Sequence, residues 1–368
     1  MRRTTFFSIF FLPAILVSQS AFAQEAVPVF TAGENGYACY RIPAMVTTLK
    51  GTLLAFAEAR RKNCGDAGDI DLVLKRSMDG GKTWSAMQVV WDDAGNTCGN
   101  PAPVVDHKSG KIILLSTWNL GEDHEPQIID GSSKDTRRIF VLNSTDDGAN
   151  WSSPREITAE VKLPNWTWYA TGPVNGIQMR SRPYRGRLVI PCDHIEAGTK
   201  KYFSHTIFSD DGGQTWQLGG TTPTDQVNEC SVAELPGGTL MLNMRNYNGL
   251  RIRQVATSSD GGQRWSALRG DSALVEPVCQ GSLLWYDKKG RKPFLAFSNP
   301  ASQKSRTQMT VRISYDQGAT WPLSIPVHEG PSAYSNLAIL PNGNLACYYE
   351  GGSKSPYEKI LFKVVSVF

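Results

Sequence analysis

Five aspartates of this 368-residue sequence hold the same place in a short repeated motif, and a carboxyl group held at a fixed place can act as a general acid or base. The motif reads Ser-x-Asp-x-Gly-x-x-Trp, as in SMDGGKTW at residues 77–84. Five equivalent acids spread along the chain cannot converge on one substrate. A side chain that bonds nearby backbone, a glycine that accepts positive φ and a tryptophan that buries apolar area instead predict a tight hairpin turn. The aspartates are Asp79, Asp146, Asp211, Asp260 and Asp316.

The spacing of the motif indicates the architecture that it serves. The five copies begin 67, 65, 49 and 56 residues apart. Between them lie short runs rich in β-branched and aromatic residues, such as GTLLAFAEA at 51–59 and KIILLSTWN at 111–119. Periods of this size, each made of several strands, are typical of radial β-repeats. We therefore predict an all-β fold, a six-bladed β-propeller with Asp-box turns on five blades and about 57 residues per blade.

The two ends of the sequence carry further predictions. Arg2-Arg3, an apolar run over 6–17 and Ala21-Phe22-Ala23 follow the order of a secretory signal, so we expect residues 1–23 to be removed and the protein to be periplasmic or secreted. An apolar run of about 12 residues is too short to span a bilayer. With no glycine-, serine- or proline-rich linker, residues 24–368 read as one domain. Its last strand, KILFKVVSVF, is expected to pair with the first, AVPVFTA, because this removes exposed edges.

Charge and composition exclude several function classes. Removing the signal lowers the net charge from +4 to +2, and no long basic run remains to bind nucleic acid. Zinc-protease, serine-hydrolase and P-loop motifs are absent from the sequence, the five histidines are dispersed, and no metal or cofactor is expected. Seven cysteines lack metal-type spacing. Cys64 with Cys98 is one candidate disulfide, and buried free thiols are the alternative.

The repeated motif resembles the Asp box of sialidases and related propellers. Because Asp boxes also occur in binding propellers and in other glycosidases, they imply the fold before the function. A second signature, YRIP at residues 40–43, resembles the motif that opens the catalytic domain of sialidases. Together they imply an exo-α-sialidase that removes terminal α-linked sialic acids from glycoproteins, glycolipids and oligosaccharides. The resemblance extends over essentially the whole chain after residue 23.

The resemblance implies three arginines that bind the substrate carboxylate. They are Arg41 in YRIP, Arg245 in LNMRN and Arg306 in SRTQMTVRISYD. Guanidinium groups stay charged and meet carboxylate oxygens in fork geometry, which lysine does not reproduce. Arg312 is the alternative to Arg306, but it lies two residues before an Asp box, in a run that reads as a strand leading into the turn.

The same resemblance implies a tyrosine nucleophile, Tyr334 in GPSAYSNLAIL, with Glu229 in VNECSVAEL as its base. A tyrosine nucleophile is a known exception to the two-carboxylate scheme of glycosidases. An anionic nucleophile would be repelled by the carboxylate of the substrate, whereas a neutral phenol is not. Because the pKa of a phenol is about 10, a base within hydrogen-bond reach must take its proton as the new bond forms.

The loop before the first Asp box, CGDAGDIDLVLKRS, supplies the acid and base of the predicted mechanism. Asp66 matches the catalytic acid/base of the family, Asp69 is the alternative, and Asp71 falls inside an apolar strand pattern. Arg60, or else Arg61, resembles an additional arginine near the substrate. The segment NWTWYATGPVNGIQM resembles a wall of the pocket. Its expected sugar contacts are Trp166, Trp168 and Gln178, with core packing as the alternative for both tryptophans.

Two other functions remain compatible with the sequence. A trans-sialidase, including an intramolecular one, would use the same residues and pass the sugar to a hydroxyl group instead of water. A binding propeller without enzymatic activity would carry the same Asp boxes. The three arginines with Tyr334 and Glu229 favour an enzyme over a binding module, because binding alone needs this set less strictly.

Overall fold

The regular secondary structure of the described residues is almost entirely β-strand, as predicted. A computed structural model describes residues 25–367, of which about half lie in strands and 4% in helices. The predicted signal segment, residues 1–23, lies outside the described residues. Within residues 25–367, no helix has the length and apolar character needed to cross a membrane.

The elements are short, which suits a chain punctuated by turns. In order, the strands are β1 (Val27–Thr31), β2 (Cys39–Thr47), β3 (Leu53–Arg60), β4 (Ile70–Ser77), β5 (Gln88–Trp91), β6 (Thr97–Val105), β7 (Ile112–Asn119), β8 (Arg138–Ser144), β9 (Arg155–Glu156), β10 (Trp166–Thr171), β11 (Ile177–Gln178), β12 (Leu188–Glu196), β13 (Tyr202–Ser209), β14 (Gln217–Thr221), β15 (Val227–Glu234), β16 (Leu240–Asn246), β17 (Ile252–Ser258), β18 (Arg269–Val275), β19 (Ser282–Tyr286), β20 (Phe294–Pro300), β21 (Thr307–Ser314), β22 (Leu323–Ile339), β23 (Leu345–Gly351) and β24 (Lys359–Val365). The helices are α1 (Glu125–Asp130), α2 (Thr158–Val161) and a 3₁₀ turn, Pro236–Gly238.

The strands of residues 25–367 form four sheets, and nearly every pairing is antiparallel. One sheet has the order β2-β3-β4-β6-β7-β8-β9, with β5 beside β4, and its β4–β6 contact is a single parallel pair. The others run β10-β12-β13-β14 with β11 beside β12, β15-β16-β17-β18, and β1-β24-β23-β22-β21-β20-β19. The predicted pairing of the first strand with the last is confirmed, since Val27 lies opposite Phe362.

Each Asp box is a turn whose aspartate is fully occupied by the turn itself. In the first copy, Asp79 Oδ1 accepts hydrogen bonds from the backbone N–H groups of Lys82 and Thr83, both at 3.0 Å. The Ser77 hydroxyl donates to Asp79 and accepts from the Gly81 N–H at 2.9 Å. Such bonds favour the charged carboxylate, and in the second copy they lower the pKa of Asp146 to about 2. The predicted structural role of these aspartates is confirmed.

The glycine and tryptophan of the box fasten the turn to its neighbours. Gly81 has φ of +89°, and a Cβ atom added there would lie 2.1 Å from the ring of Phe362. Only glycine combines this backbone conformation with so close an approach. Trp84 packs edge-on against the same Phe362 ring, with centroids 5.5 Å apart. The turn at the end of β4 is thereby fixed to β24.

The disulfide prediction was wrong in its pairing. Cys64 bonds to Cys39 rather than to Cys98, and the remaining cysteines of the described chain are buried free thiols. Cys98 is unavailable because it lies inside β6, fully buried in an apolar cluster of the core. Cys39 begins β2 and Cys64 follows β3, so the bond closes a loop around this hairpin. Spacing along the chain could not reveal that proximity.

Two fully buried histidines meet in the core beside β10. The Nδ1 atoms of His194 and His205 lie 3.0 Å apart, and the Trp166 ring stacks on His194. One imidazole must therefore donate its N–H and the other must accept it, so at least the accepting ring is neutral. Burial lowers the pKa of both rings below the ordinary value, and for His205 the neighbouring His194 lowers it further.

This pair predicts a stability that is lost in acid. An unfolded histidine has a pKa of about 6.5, so below that pH the unfolded chain binds more protons than the folded one. The free energy of unfolding should be constant with respect to these groups above pH ~6.5 and should fall below it, by about 1.4 kcal/mol per pH unit for each histidine. Urea unfolding of wild type and His205→Gln between pH 7 and 4 measures it. In the variant, the free energy of unfolding should change less steeply with pH, by about 1.4 kcal/mol per pH unit, which corresponds to one proton. This holds whatever the stability of the variant at pH 7. An unchanged slope would contradict the prediction.

Candidate active site

Three arginines from different sheets surround one buried tyrosine. The guanidinium carbon of Arg41, on β2, lies 5.0 Å from the centre of the Tyr334 ring, and that of Arg306, just before β21, lies 5.7 Å from it. Arg245, on β16, donates from Nη1 to the Tyr334 hydroxyl at 3.2 Å. The structure thus brings together three positions that are far apart in the sequence. Arg312 lies elsewhere, buried in β21 and donating to Asn299.

Tyr334 and Glu229 form a short, buried hydrogen bond. The phenol donates to Glu229 Oε1 at 2.5 Å, and Arg245 donates to the other carboxylate oxygen at 2.6 Å. Burial raises the pKa of Tyr334 well above its ordinary value, and the charge of Glu229 raises it further, while the three arginines oppose both. The free site therefore holds a protonated phenol whose proton already points at a carboxylate.

Glu350 is a buried carboxylate beneath this cluster that the sequence analysis missed. It accepts from Arg41 Nε at 3.2 Å, from the Ile42 backbone N–H at 2.9 Å and from the Tyr334 backbone N–H at 3.0 Å. One side chain of β23 thus fixes both an arginine and the tyrosine. A glutamate in the otherwise apolar run LACYYEG was the available signal, because a buried charge needs a partner.

The backbone of YRIP is distorted where it presents Arg41. Ile42 has φ of +59°, which is unusual for a β-branched residue, and the β2–β3 register shifts between Arg41 and Ala44. The Glu350 carboxylate satisfies the Ile42 N–H that this bulge turns away from the ladder. A bulge beside a site commonly re-aims a side chain. Here the side chain is Arg41.

Asp66 lies at the open side of the cluster. Its side chain is 63% exposed, and Oδ1 accepts from Arg60 Nη1 at 2.7 Å and from Arg41 Nη1 at 3.1 Å. Burial by itself raises the pKa of Asp66, but the charges of Arg60 and Arg41 outweigh it, so the pKa lies below its ordinary value. In the free site Asp66 is therefore a carboxylate at neutral pH.

The neighbouring aspartates belong to a separate cluster. Asp69 pairs with Arg61 at 3.4 Å, and Asp71 is buried where it accepts from Arg61 at 3.1 Å and from the Tyr37 hydroxyl at 2.5 Å. Neither contacts the three arginines around Tyr334. Of the two candidate pairs, the geometry therefore favours Asp66 with Arg60 over Asp69 with Arg61.

Arg60 and the disulfide hold the Asp66 loop in place. Besides Asp66, Arg60 Nη1 donates to the carbonyls of Cys64 and Gly65 at 2.6 and 2.8 Å, and its Nε is held by Glu58 at 3.0 Å. Cys64 is in turn bonded to Cys39, two residues before Arg41. A loop that would otherwise be free is tied to the strand that carries Arg41.

Of the three expected wall residues, Trp168 lies near the cluster. Its half-buried ring covers the buried guanidinium of Arg137, whose carbon lies 4.1 Å from the ring centre. The charge of Arg137 lowers the pKa of Asp66, which indicates that Trp168 and Arg137 lie close to Asp66. Arg137 was missed because nothing in its sequence context distinguishes it from a surface arginine.

The structure places Trp166 and Gln178 among other contacts, away from the arginine cluster. Trp166 is 5% exposed and stacked on His194, so its ring belongs to the core. Core packing was the alternative that the sequence analysis gave for this residue. The Gln178 amide donates to Asp106 at 2.7 Å and to the Gly186 carbonyl at 3.0 Å, and the residue lines a different cavity. β10 pairs with residues 192–196 of β12 whereas β11 pairs with residues 188–189, so Trp168 and Gln178 lie beside opposite ends of that strand.

An Asp-box β-protein with three arginines clustered around a tyrosine–glutamate pair is a class suited to bind an anionic ligand. The model of the BNR repeat-like domain matches residues 51–347. Together with the relatives described next, this shows that the chain belongs to the sialidase family of BNR-repeat, Asp-box proteins. The resemblance seen in the sequence is confirmed.

Similar proteins carry the same family name. A sialidase of Bacteroides fragilis is 35% identical over 347 residues, which are 88% of this chain and 62% of that protein. A sialidase of Micromonospora viridifaciens is 33% identical over 339 residues, 88% of this chain and 52% of that protein. The chain thus spans about half to three fifths of the length of these relatives. The solved structure of the Hadza microbial sialidase Hz136 matches with a TM-score of 0.84 at 32% identity, over 93% of this chain and 68% of that one.

The Cys39–Cys64 bond predicts a measurable contribution to stability. Closing a loop of 25 residues restricts the unfolded chain and is expected to add about 3 kcal/mol to the free energy of unfolding. The double variant Cys39→Ser/Cys64→Ser should lose this amount in urea unfolding. Wild type unfolded in a dithiol reductant is the matched control and should lose the same amount. No loss in either sample would show that the hairpin is held by its other contacts alone.

Proposed function

We propose that this protein is an exo-α-sialidase that hydrolyses terminal α-linked sialic acids from glycoproteins, glycolipids and oligosaccharides, with net retention. The observation that carries the proposal is the convergence of Arg41, Arg245 and Arg306 on a tyrosine whose hydroxyl is bonded to Glu229. Sialic acid bears a carboxylate on its anomeric carbon. Groups that bind this carboxylate therefore place the anomeric carbon next to Tyr334.

The three guanidinium groups supply charge that the protein does not fully neutralise. Arg41 is paired with Glu350, and Arg245 with Glu229, while Arg306 contacts the Tyr357 hydroxyl and the Val278 carbonyl. Two buried carboxylates thus face three cations. Asp66 is shared between Arg41 and Arg60, and Arg306 has no carboxylate within salt-bridge distance among residues 25–367. A substrate carboxylate can supply the missing negative charge and accept fork-shaped hydrogen bonds at the same time.

Tyr334 would attack the anomeric carbon as a neutral phenol. As the oxygen–carbon bond forms, the phenolic proton passes to Glu229 Oε1, which is already its acceptor. The bond to the leaving-group oxygen breaks, and the arginines stabilise the carboxylate beside the cationic carbon. The product of this step is a sugar bonded to Tyr334, with inversion at the anomeric carbon.

Asp66 would donate the proton to the leaving oxygen. In the free site it is a carboxylate held by Arg60 and Arg41. A substrate carboxylate that binds Arg41 competes for this guanidinium and adds negative charge nearby, and both effects raise the pKa of Asp66. Substrate binding therefore prepares the acid for its role. After the alcohol leaves, Asp66 takes a proton from water.

The second step restores the enzyme. The water oxygen attacks the anomeric carbon from the side that the alcohol has left, and the carbon–oxygen bond to Tyr334 breaks. Glu229 returns its proton to the phenolate oxygen. A second inversion gives net retention. Trp168, which covers the buried Arg137, would form the wall next to Asp66 and contact the sugar.

We further propose that the all-β fold is a six-bladed propeller and that residues 24–368 form this single domain. Support comes from the strand order, which divides into six antiparallel runs that start at β2, β6, β10, β15, β19 and the second half of β22. β1 completes the last run beside β24. An experimental structure with six such units around one axis would test this.

We also propose that the protein is exported after removal of residues 1–23. The disulfide supports export, because such bonds persist mainly in oxidising compartments. N-terminal sequencing of the protein recovered outside the cytoplasm should begin at Gln24. A sequence that begins at Met1 would contradict this proposal.

The role of Asp66 predicts losses that depend on the leaving group. An aryl sialoside leaves with little protonation, whereas sialyl-lactose needs a proton donor. We expect Asp66→Asn to lower kcat/KM for sialyl-lactose by about 10²–10⁴-fold and for the aryl sialoside by about 10-fold or less. Tyr334→Phe should lose nearly all activity on both substrates, because it removes the nucleophile.

Asp69→Asn is the matched control, since it changes a nearby aspartate that bonds to Arg61 instead. It should retain wild-type rates on both substrates. Equal losses on the two substrates for Asp66→Asn would exclude Asp66 as the acid. Inactivity of wild type on both would overturn the proposed function itself.

A further inference from the structure

A cavity lies at the other ends of the strands that carry the candidate active site. On β22, Tyr334 belongs to the active site, whereas Leu337–Ile339 line the cavity. On β15, Glu229 belongs to the active site, whereas residues 232–234 line the cavity. At about 3.3 Å per residue, three to five residues correspond to roughly 10–17 Å. We call this cavity the rear pocket. Its volume is about 1020 Å³, at the upper end of the range for small-molecule sites.

Buried amide side chains separate the rear pocket from the active site. Gln280 Nε2 donates to the Pro173 and Ser335 carbonyls, both at 3.0 Å, and its Oε1 accepts from the Ser335 N–H at 2.9 Å. Asn336 Oδ1 accepts from the backbone N–H groups of Met45 and Asn175. These bonds tie the strands together just beyond Tyr334. A ligand in the rear pocket therefore does not reach the arginines of the active site.

The wall of the rear pocket is apolar. Five apolar side chains of the wall remain half-buried or exposed, and such surface binds apolar groups by removing them from water. These residues are Leu49, Ile177, Leu284, Trp285 and Ile339. The occupant must accordingly present an apolar body.

The rim of the rear pocket is positively charged. Lys108, Arg180 and Arg185 are exposed there, and among residues 25–367 neither Lys108 nor Arg185 has an acidic side chain within salt-bridge distance. The acidic residues at this end are Glu234 and Asp287. Glu234 is buried and already accepts from the backbone N–H groups of residues 180 and 181, at 2.7 and 2.9 Å. The rim is therefore complementary to an anion.

We propose that the rear pocket binds an amphiphile with an apolar body and one anionic head group, a carboxylate or a sulfonate. The body would lie against these five side chains, and the head group would pair with Lys108 and Arg185 at the rim. The site is independent of the active site in its residues and in its ligand.

The probe 8-anilinonaphthalene-1-sulfonate has this chemistry, and N-phenyl-1-naphthylamine has the same rings without the charge. We expect one sulfonate probe to bind per folded chain, as followed by fluorescence titration. The double variant Lys108→Gln/Arg185→Gln should bind the charged probe with about 10-fold lower affinity, because two contacts with the head group are lost. Affinity for the uncharged probe should change by less than about 2-fold.

Two controls locate the binding. Lys82→Gln/Arg269→Gln removes the same charges from exposed positions outside the pocket and should leave both affinities unchanged. Arg306→Gln removes a cation from the active site and should also leave them unchanged. Equal affinity of wild type and Lys108→Gln/Arg185→Gln for the charged probe, or a loss in Arg306→Gln, would overturn the proposal. Dodecanoate should displace the charged probe from wild type, and failure to do so would count against it in the same way.

Discussion

The need to hold three guanidinium groups around one buried phenol is the constraint on which the rest of the site depends. Like charges this close repel one another, and burial makes the repulsion stronger. Glu350 and Glu229 offset part of it, and each also makes a second contact: Glu350 accepts from the Tyr334 backbone, and Glu229 accepts the Tyr334 proton. The counter-charges of the arginines are therefore also the groups that contact the backbone and the hydroxyl of the tyrosine. In the proposed mechanism, removing either carboxylate would disturb binding and chemistry together.

The aspartates show how the same side chain serves opposite purposes according to its hydrogen bonds. The Asp-box carboxylates accept from backbone N–H groups of their own turn, and this favours the charge permanently. Asp66 is held by two arginines instead, and one of them, Arg41, belongs to the pocket that the substrate enters. A ligand that binds Arg41 can weaken the contacts of Asp66, but it cannot reach the hydrogen bonds inside an Asp-box turn. A carboxylate whose partner is shared with the substrate can change protonation state during a reaction, whereas one bonded to its own loop remains a structural element.

The sequence was informative wherever a local pattern reports a local structure, and it failed where the answer depends on how the chain returns to itself. The Asp-box turns follow from serine, aspartate and glycine within five positions. The arginines and Tyr334 were found through family motifs, and no spacing rule would have joined residues almost 300 positions apart. Gln178 was misplaced because β11 lines the rear pocket, although its segment follows directly after the wall next to Asp66. Glu350 was overlooked for a related reason, since its partners Arg41 and Ile42 lie more than 300 residues earlier.

The Cys39–Cys64 bond illustrates why such long-range details matter for chemistry. Asp66 is exposed and lies on a loop, and an exposed loop carboxylate is normally free to move. Here the loop is joined covalently to the start of β2, and Arg60 donates hydrogen bonds to the carbonyl oxygens of Cys64 and Gly65. Both restraints end on the hairpin that presents Arg41. The distance between Asp66 and Arg41 is therefore set by one rigid unit. In the proposed mechanism, this is the condition for a proton to reach the leaving oxygen of a substrate anchored by its carboxylate.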